Sequence, residues 1–133
     1  MLGLLIVSHS EDAARGIAQI AEGMAGGKVK IAWAGGNDEG GLGVSVAKIL
    51  DSLTQMLPET EGILIIPDLG SSVLSARSAL EMLPREDTAK ALIADAPILE
   101  GSMMAAVEAS CGSSLEKVAQ TASDSRNLRK IDH

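Results

Sequence analysis

One histidine carries the most versatile chemistry in this 133-residue chain. His9 is one of two histidines, and the other, His133, is the last residue. His9 directly follows residues 2–7, an apolar run typical of a buried strand. A neutral imidazole near pH 7 can act as a nucleophile, a base or a metal ligand. His9 can equally be a plain loop residue beside the start of a helix near Glu11, and the sequence around it leaves both interpretations open.

A carboxylate, Asp68, follows the third apolar run, residues 62–66. If the strand order is 2-1-3-4, strands one and three are neighbours, and ligands of such sheets bind beyond the carboxyl ends of the strands. His9 and Asp68 then flank the same crevice. A carboxylate there can accept the Nδ1–H of the ring, which leaves Nε2 as the nucleophile. The alternative is that Asp68 is a turn or capping residue, which is common after a strand.

The segment after Asp68 could bind phosphate. Gly70, Ser71 and Ser72 precede a predicted helix. A helix N-terminus presents unpaired N–H groups with a partial positive charge, so it can bind phosphate without a lysine. Ser10, beside His9, is predicted to join these residues in binding phosphate. Serines are equally common as ordinary helix caps, and capping remains the alternative.

Other site types receive little support from the sequence. The glycine-rich stretch 35–43 matches neither a Walker A loop nor a dinucleotide fingerprint, so it is either a mobile loop over the site or a plain connection. Cys111, the single cysteine, is far from His9 with no ligand spacing; we predict no metal and no cofactor. We interpret Cys111 as a small buried residue and Trp33 as core. A hydrolase built on Ser71 or Ser72 is conceivable, but no Gly-x-Ser-x-Gly elbow is present.

Short apolar runs alternate with amphipathic stretches along the whole chain, which predicts an α/β fold. Runs that are apolar throughout indicate strands buried on both faces, and strand–helix alternation implies right-handed crossovers. We expect an open, mainly parallel four-stranded sheet of order 2-1-3-4 with helices on both faces. The predicted strands are 2–7, 29–34, 62–66 and 89–94, and the predicted helices are 11–24, 44–57, 73–83, 98–110 and 114–123. Residues 1–124 form one domain, and residues 125–133 form a polar, frayed tail.

Charge and composition exclude several functions. The formal net charge of −7 disfavours nucleic acid as a partner, because phosphate backbones would be repelled. A single cysteine permits no intrachain disulfide and fits a reducing compartment. The apolar N-terminal run is too short to span a membrane and lacks a basic flank. We therefore expect a soluble, cytoplasmic protein that contacts neither membrane nor nucleic acid.

Three segments, taken together, resemble the DhaM family. They are residues 4–10 (LLIVSHS), 68–76 (DLGSSVLSA) and 96–101 (APILEG), in the order and spacing of that family. DhaM is the phosphotransferase subunit of PTS-dependent dihydroxyacetone kinase, within the mannose-type enzyme IIA superfamily. The resemblance covers about residues 1–122.

The resemblance implies a phosphoryl carrier. His9 would accept a phosphoryl group from HPr and pass it to ADP bound on the DhaL subunit, which phosphorylates dihydroxyacetone held by DhaK. It also implies a homodimer without a metal. Asp68 would orient the ring, and residues 70–72 would cradle phosphate. Val44 stands where the family usually has a threonine, so this position offers no hydroxyl contact. The alternative is the IIA domain of a mannose-type sugar-transport system.

Overall fold

The computed structural model of the chain describes residues 1–132, and its centre is a sheet of four parallel strands. His133 lies outside the described residues. The strands are β1 (Gly3–Ser8), β2 (Lys30–Gly35), β3 (Ile63–Pro67) and β4 (Ala91–Ile93). The helices are α1 (Glu11–Ala25), α2 (Val46–Met56), α3 (Gly70–Glu81), α4 (Arg85–Thr88), α5 (Ile98–Ser110) and α6 (Leu115–Asp124), with 3-10 turns at Leu57–Glu59 and Ser125–Asn127.

The strand order is β2-β1-β3-β4, which confirms the predicted topology. β1 lies between β2 and β3, with Ser8 in register with Gly35 and Val7 in register with Pro67. Because all four strands run parallel, their carboxyl ends lie at one edge of the sheet. The residues that follow β1 and β3 therefore lie side by side, which is the arrangement that the site requires.

Helices cover both faces of the sheet, as predicted. Leu4 and Ile6 of β1 pack into one hydrophobic cluster with α1, α5 and α6, while Leu5 and Val7 pack into the other with α2 and α3. This alternation follows the two-residue period of a strand. All the fully buried residues of α1 are alanines, so its backbone can lie close to the sheet. β1 is thus held rigidly from both sides.

Several predicted boundaries were wrong. α3 begins at Gly70 rather than at residue 73, because the turn after Asp68 leads directly into helical backbone. β4 spans Ala91–Ile93 only, because Ala89 caps α4 and Lys90 N still donates to Asp87 O at the end of that turn. In both places the element begins where the preceding turn ends, which hydrophobic pattern alone does not mark.

Two single residues are also not where we expected them. Trp33 is 38% exposed rather than core, because β2 is an edge strand and the Trp33 side chain lines an open cleft beside it. Cys111 is exposed because it caps the C-terminus of α5. Both side chains lie where an element meets solvent.

The start of the predicted tail is folded. Ser125 is buried and its Oγ donates a 2.6 Å hydrogen bond to the carbonyl of Ala122. The Arg126 guanidinium binds the Asp95 carboxylate at 3.2 Å and the Asp95 carbonyl. The chain after α6 is therefore tied to the loop after β4, at least through the turn Ser125–Asn127.

Ser102 provides a test of the packing. Its side chain is fully buried, and its hydroxyl has no hydrogen-bond partner within residues 1–132. Because an unsatisfied buried hydroxyl costs free energy, Ser102→Ala should raise the free energy of unfolding by about 1 kcal/mol. Ser125→Ala, which removes a bonded buried hydroxyl, should lower it by a similar amount. Urea unfolding monitored by circular dichroism measures both, and equal losses in the two variants would contradict the assignment.

Candidate functional site

The site forms where β1 and β3 end next to each other. The ring of His9 approaches the carboxylate of Asp68, with Nδ1 at 3.1 Å from Oδ1 and 3.2 Å from Oδ2. The side chains are 29% and 17% exposed respectively. The backbone is tied as well, since Asp68 N donates to Val7 O at 3.0 Å. The structure thus brings the two predicted residues into direct contact.

Four further donors surround the Asp68 carboxylate. Oδ1 accepts from Leu69 N at 2.8 Å and from Ser72 Oγ at 2.6 Å. Oδ2 accepts from His9 N at 3.0 Å and from Ser8 Oγ at 3.0 Å. Burial by itself would raise the pKa of this carboxyl group, but the hydrogen bonds from Ser72, His9 and Ser8 outweigh it and hold the pKa below its ordinary value. Asp68 is therefore an anion that only accepts hydrogen bonds.

An acceptor at this position decides the tautomer of the neutral His9 ring. Because the ionised carboxylate has no proton to give, Nδ1 must carry the hydrogen and donate it to Asp68. Nε2 then keeps its lone pair. The hydroxyl of Ser71 lies 2.8 Å from Nε2 and can donate to it. The ring is thus held with its nucleophilic nitrogen directed to the open side of the site.

The first turn of α3 lies beside Nε2. The N–H groups of Gly70 and Ser71 precede the hydrogen-bonded part of the helix and make no bond within residues 1–132. Ser71 is exposed, and a Cβ at Gly70 would meet nothing within 4 Å. Open space, free N–H groups and the positive end of a helix dipole together form an arrangement that can receive an anion.

The other predicted phosphate-binding serines point elsewhere. Ser10 is the N-cap of α1, where its Oγ accepts from Ala13 N at 3.2 Å. Ser72 is fully buried, and its Oγ lies 3.3 Å from Nδ1 of His9, on the side of the ring away from Nε2. Of the three predicted serine hydroxyls, only that of Ser71 contacts Nε2 in the described structure.

Ser8 belongs to the site, although sequence reasoning did not select it. It is 4% exposed, and its Oγ donates to Asp68 while accepting from Ser10 N at 3.1 Å. A signal existed in the sequence, because Ser8 is the one hydroxyl residue at the end of an otherwise apolar strand. A lone buried hydroxyl in such a place requires a partner.

The glycine-rich loop supports the backbone of the site. Gly43 N donates to His9 O at 2.9 Å, and Gly36 N donates to Ser8 O at 3.3 Å. A Cβ on Gly35 would lie 2.6 Å from Ser10 O, so only glycine allows β2 to approach this closely. The loop therefore supports the backbone of the segment that carries His9.

Side chains of the loop bond mainly within it. Asn37 Oδ1 accepts from Glu39 N at 3.0 Å and Gly41 N at 2.8 Å. Ser45, next to Val44, caps α2 and donates to Asp38 Oδ1 at 2.5 Å. The hydroxyl of Ser45, the next residue in sequence after Val44, is thus already hydrogen-bonded. The contacts favour a hydrogen-bonded connection over the mobile loop that the sequence also allowed.

The site is open rather than a closed pocket. A cleft of about 330 Å³ lies beside β2 and is lined by residues that include Lys30, Trp33 and Glu59 but neither His9 nor Asp68. Across residues 1–132, no three His, Cys, Asp or Glu side chains are grouped to hold a metal ion. In the same residues, no helix combines the length and apolarity needed to cross a membrane.

This geometry can support two kinds of chemistry. An oriented imidazole with a free Nε2 beside unpaired N–H groups can accept a phosphoryl group. The line Ser71, His9, Asp68, with contacts of 2.8 and 3.1 Å, also has the connectivity of a Ser-His-Asp triad. The fold and site together define a small α/β protein with an oriented histidine at the carboxyl edge of a parallel sheet.

Comparison with known proteins identifies the family. The profile described as "PTS system fructose IIA component" (EIIA-man) matches residues 3–119. A Listeria innocua protein named "PEP-dependent dihydroxyacetone kinase 2, phosphoryl donor subunit DhaM" is 37% identical, over 90% of this chain and 95% of its own. The Escherichia coli DhaM is 35% identical over 89% of this chain, which spans only 25% of that longer protein. The chain belongs to the EIIA-man family, as a DhaM-type member.

A solved structure shares the whole fold. The protein EF1359, whose structure is titled as that of a protein of unknown function, has a TM-score of 0.87 with this chain at 31% identity. The match covers 98% of both chains. The family profile and the DhaM relatives confirm the resemblance to the DhaM family that the three sequence segments indicated.

The pKa of Asp68 gives a test by pH. Because its native pKa is lowered, the ionised carboxylate stabilises the fold above the unfolded value of about 3.9, and this contribution is lost as pH falls through the lower native value. Asp68→Asn places an N–H₂ group against existing donors, so it should lower the free energy of unfolding by about 1–3 kcal/mol at pH 7. The gap to wild type should shrink between about pH 5 and pH 2.

Urea unfolding at a series of pH values measures this gap. Asp51→Asn is the matched control, since Asp51 is exposed on α2 and, within residues 1–132, its only side-chain hydrogen bond is the one of 3.5 Å from Gln55. A gap for Asp68→Asn that stays constant over the whole pH range would contradict an ionised, hydrogen-bonded carboxylate.

Proposed function

We propose that this chain is the phosphoryl carrier of a PTS-dependent dihydroxyacetone kinase. His9 accepts a phosphoryl group from HPr and passes it to ADP bound on a DhaL subunit, for phosphorylation of dihydroxyacetone held by DhaK. The observation that carries the proposal is the contact of Nδ1 with Asp68, which leaves Nε2 free at the open side of the site. The names of the DhaM relatives support the choice of pathway.

A single nitrogen, Nε2 of His9, takes part in both phosphoryl transfers. The lone pair of Nε2 attacks phosphorus, the bond from phosphorus to the donor breaks, and its electron pair stays with the donor. His9 then carries the phosphoryl group on Nε2 and a hydrogen on Nδ1, so the ring is cationic. The anionic Asp68 stabilises that cation. In the second transfer an oxygen of ADP attacks phosphorus, and the electron pair of the breaking bond returns to Nε2.

Ser71 and the start of α3 receive the phosphoryl oxygens. The hydroxyl of Ser71 donates to Nε2 in the unphosphorylated protein and must turn away before the nitrogen can attack. Once the phosphoryl group is in place, this hydroxyl and the N–H groups of Gly70 and Ser71 can donate to its oxygens. Neutral donors of this kind hold the group without binding it too tightly to be passed on.

The assembly follows from the same proposal. Residues 1–124 form the carrier domain, and the chain works as a homodimer that HPr and DhaL meet in turn in the cytoplasm. An open site suits this role, because two different proteins must reach the same nitrogen. Light scattering after size exclusion measures the dimer.

A sugar-transport IIA protein is the second candidate. The matching family profile is described as a fructose IIA component, which favours this reading. Both candidates use a phosphorylated His9, but only the first requires DhaL. Transfer of label to dihydroxyacetone in the presence of DhaK, DhaL and ADP would select the first, and failure of that transfer from a labelled carrier would favour the second.

The histidine is tested with labelled phosphoenolpyruvate, enzyme I and HPr. The wild-type chain should take up one acid-labile phosphoryl group, and His9→Ala should take up none, because no other described residue offers a free imidazole. Ser125→Ala is the control, since it removes a buried hydroxyl that donates to the Ala122 carbonyl and to no group of the site, and it should label normally. Label retained in His9→Ala would refute the carrier, and catalytic release of free phosphate by the wild type would point to a hydrolase.

A further inference from the structure

We infer that Ser8 and Ser72, here called the serine clamp, are positioning residues that fix the Asp68 carboxylate and thereby the tautomer of His9. The kinetic consequence rests on the proposed function, whereas the tautomer itself does not. Neither serine reaches Nε2. Their role is to hold the group that orients the ring.

The two serines donate hydrogen bonds to different oxygens of the Asp68 carboxylate. Ser72 Oγ donates to Oδ1 of Asp68 at 2.6 Å, and Ser8 Oγ donates to Oδ2 at 3.0 Å. They are 0% and 4% exposed, so water does not compete for these bonds. Ser8 ends β1 and Ser72 lies in the first turn of α3, so the clamp approaches from two separate elements. The carboxylate cannot rotate without losing one of them.

The direction of each hydroxyl is also determined. Ser8 Oγ already accepts a hydrogen bond from Ser10 N at 3.1 Å, which leaves its own proton for Asp68. Ser72 Oγ lies 3.3 Å from Nδ1 of His9 but only 2.6 Å from Oδ1 of Asp68. The hydrogen bond to Asp68 is therefore the stronger of the two contacts. Because the Ser72 hydroxyl donates its proton to the hydrogen bond with Asp68, it presents only lone pairs to Nδ1, which favours a hydrogen on Nδ1.

This arrangement distinguishes the clamp from phosphate-binding serines. A group on Nε2 lies on the far side of the ring from Ser72, and Ser8 lies beneath Asp68 at the end of a buried strand. It also differs from ordinary buried serines of this chain. Ser125 donates to a carbonyl in its own segment, and Ser102 has no partner within the described residues, so neither is linked to His9.

The test observes the tautomer directly. Two-bond ¹⁵N–¹H spectra of ¹⁵N-histidine-labelled protein, at a pH where the ring is neutral, should show His9 only as the Nδ1–H form in the wild type. Ser8→Ala and Ser72→Ala should each show a mixture with the Nε2–H form. The rate of phosphorylation by labelled HPr should fall about tenfold in each, as expected for loss of one hydrogen bond to a charged group.

Matched controls separate positioning from folding. Ser125→Ala and Ser102→Ala delete buried hydroxyls away from the site and should keep the single tautomer and the wild-type rate. Ser8→Cys and Ser72→Cys fill the space of the hydroxyl with a slightly larger and weaker donor, so they leave no cavity and should give mixtures between wild type and alanine. Ser8→Thr keeps a hydroxyl at this position and should keep the single Nδ1–H tautomer of His9.

A single Nδ1–H tautomer in both alanine variants, or in both cysteine variants if only those fold, would overturn the clamp. The spectra need no phosphoryl donor. If the wild-type chain takes up no label, the carrier proposal is refuted, and the tautomer test still decides the clamp. If the wild type is labelled normally but the alanine variants keep the single Nδ1–H tautomer, the clamp is refuted and the carrier proposal stands.

Discussion

The site depends on one hydrogen bond, from Nδ1 of His9 to an ionised Asp68. A half-buried carboxylate stays charged only if donors replace the water that it has lost, and here they come from Leu69, His9 itself and the two serines of the clamp. The charge in turn decides which ring nitrogen holds the hydrogen. Every other feature of the site either maintains that charge or keeps Nε2 accessible.

The fold supplies this bond through rigid backbone rather than through a pocket. β1 is buried on both faces, and the residues after it are tied by Asp68 N to Val7 O and by Gly43 N to His9 O. Gly35 lets β2 lie against the start of α1 with no side chain between them. Because the supports are backbone bonds, the side chains need little rearrangement before they act. The open rim then suits partners as large as proteins.

The donors around the ring are neutral or backbone groups. No lysine or arginine is among the hydrogen-bond partners of His9, Asp68 or Ser71 within residues 1–132. A phosphoryl group held by N–H groups and a hydroxyl is bound through partial charges, which are weaker than full ones. A carrier that must both accept and release the same group benefits from such moderate binding, whereas a cationic site would retain it.

The sequence by itself determined the alternation of strands and helices, from which the helix layers followed, and the assumed strand order 2-1-3-4 predicted that His9 meets Asp68. Strand–helix alternation restricts the topology to a few arrangements, and in one common arrangement, with strand order 2-1-3-4, strands one and three are adjacent. The family was recognisable from three short segments, of which two, residues 4–10 and 68–76, contain the residues of the site. Only the tertiary structure decided the exposure of Trp33, the length of β4 and the partners of the serines. Ser10, Ser71 and Ser72 have the same side chain, yet one caps a helix, one touches Nε2 and one holds Asp68. Hydrogen-bond direction depends on differences of less than an ångström between elements distant in sequence, and periodicity carries no information at that scale.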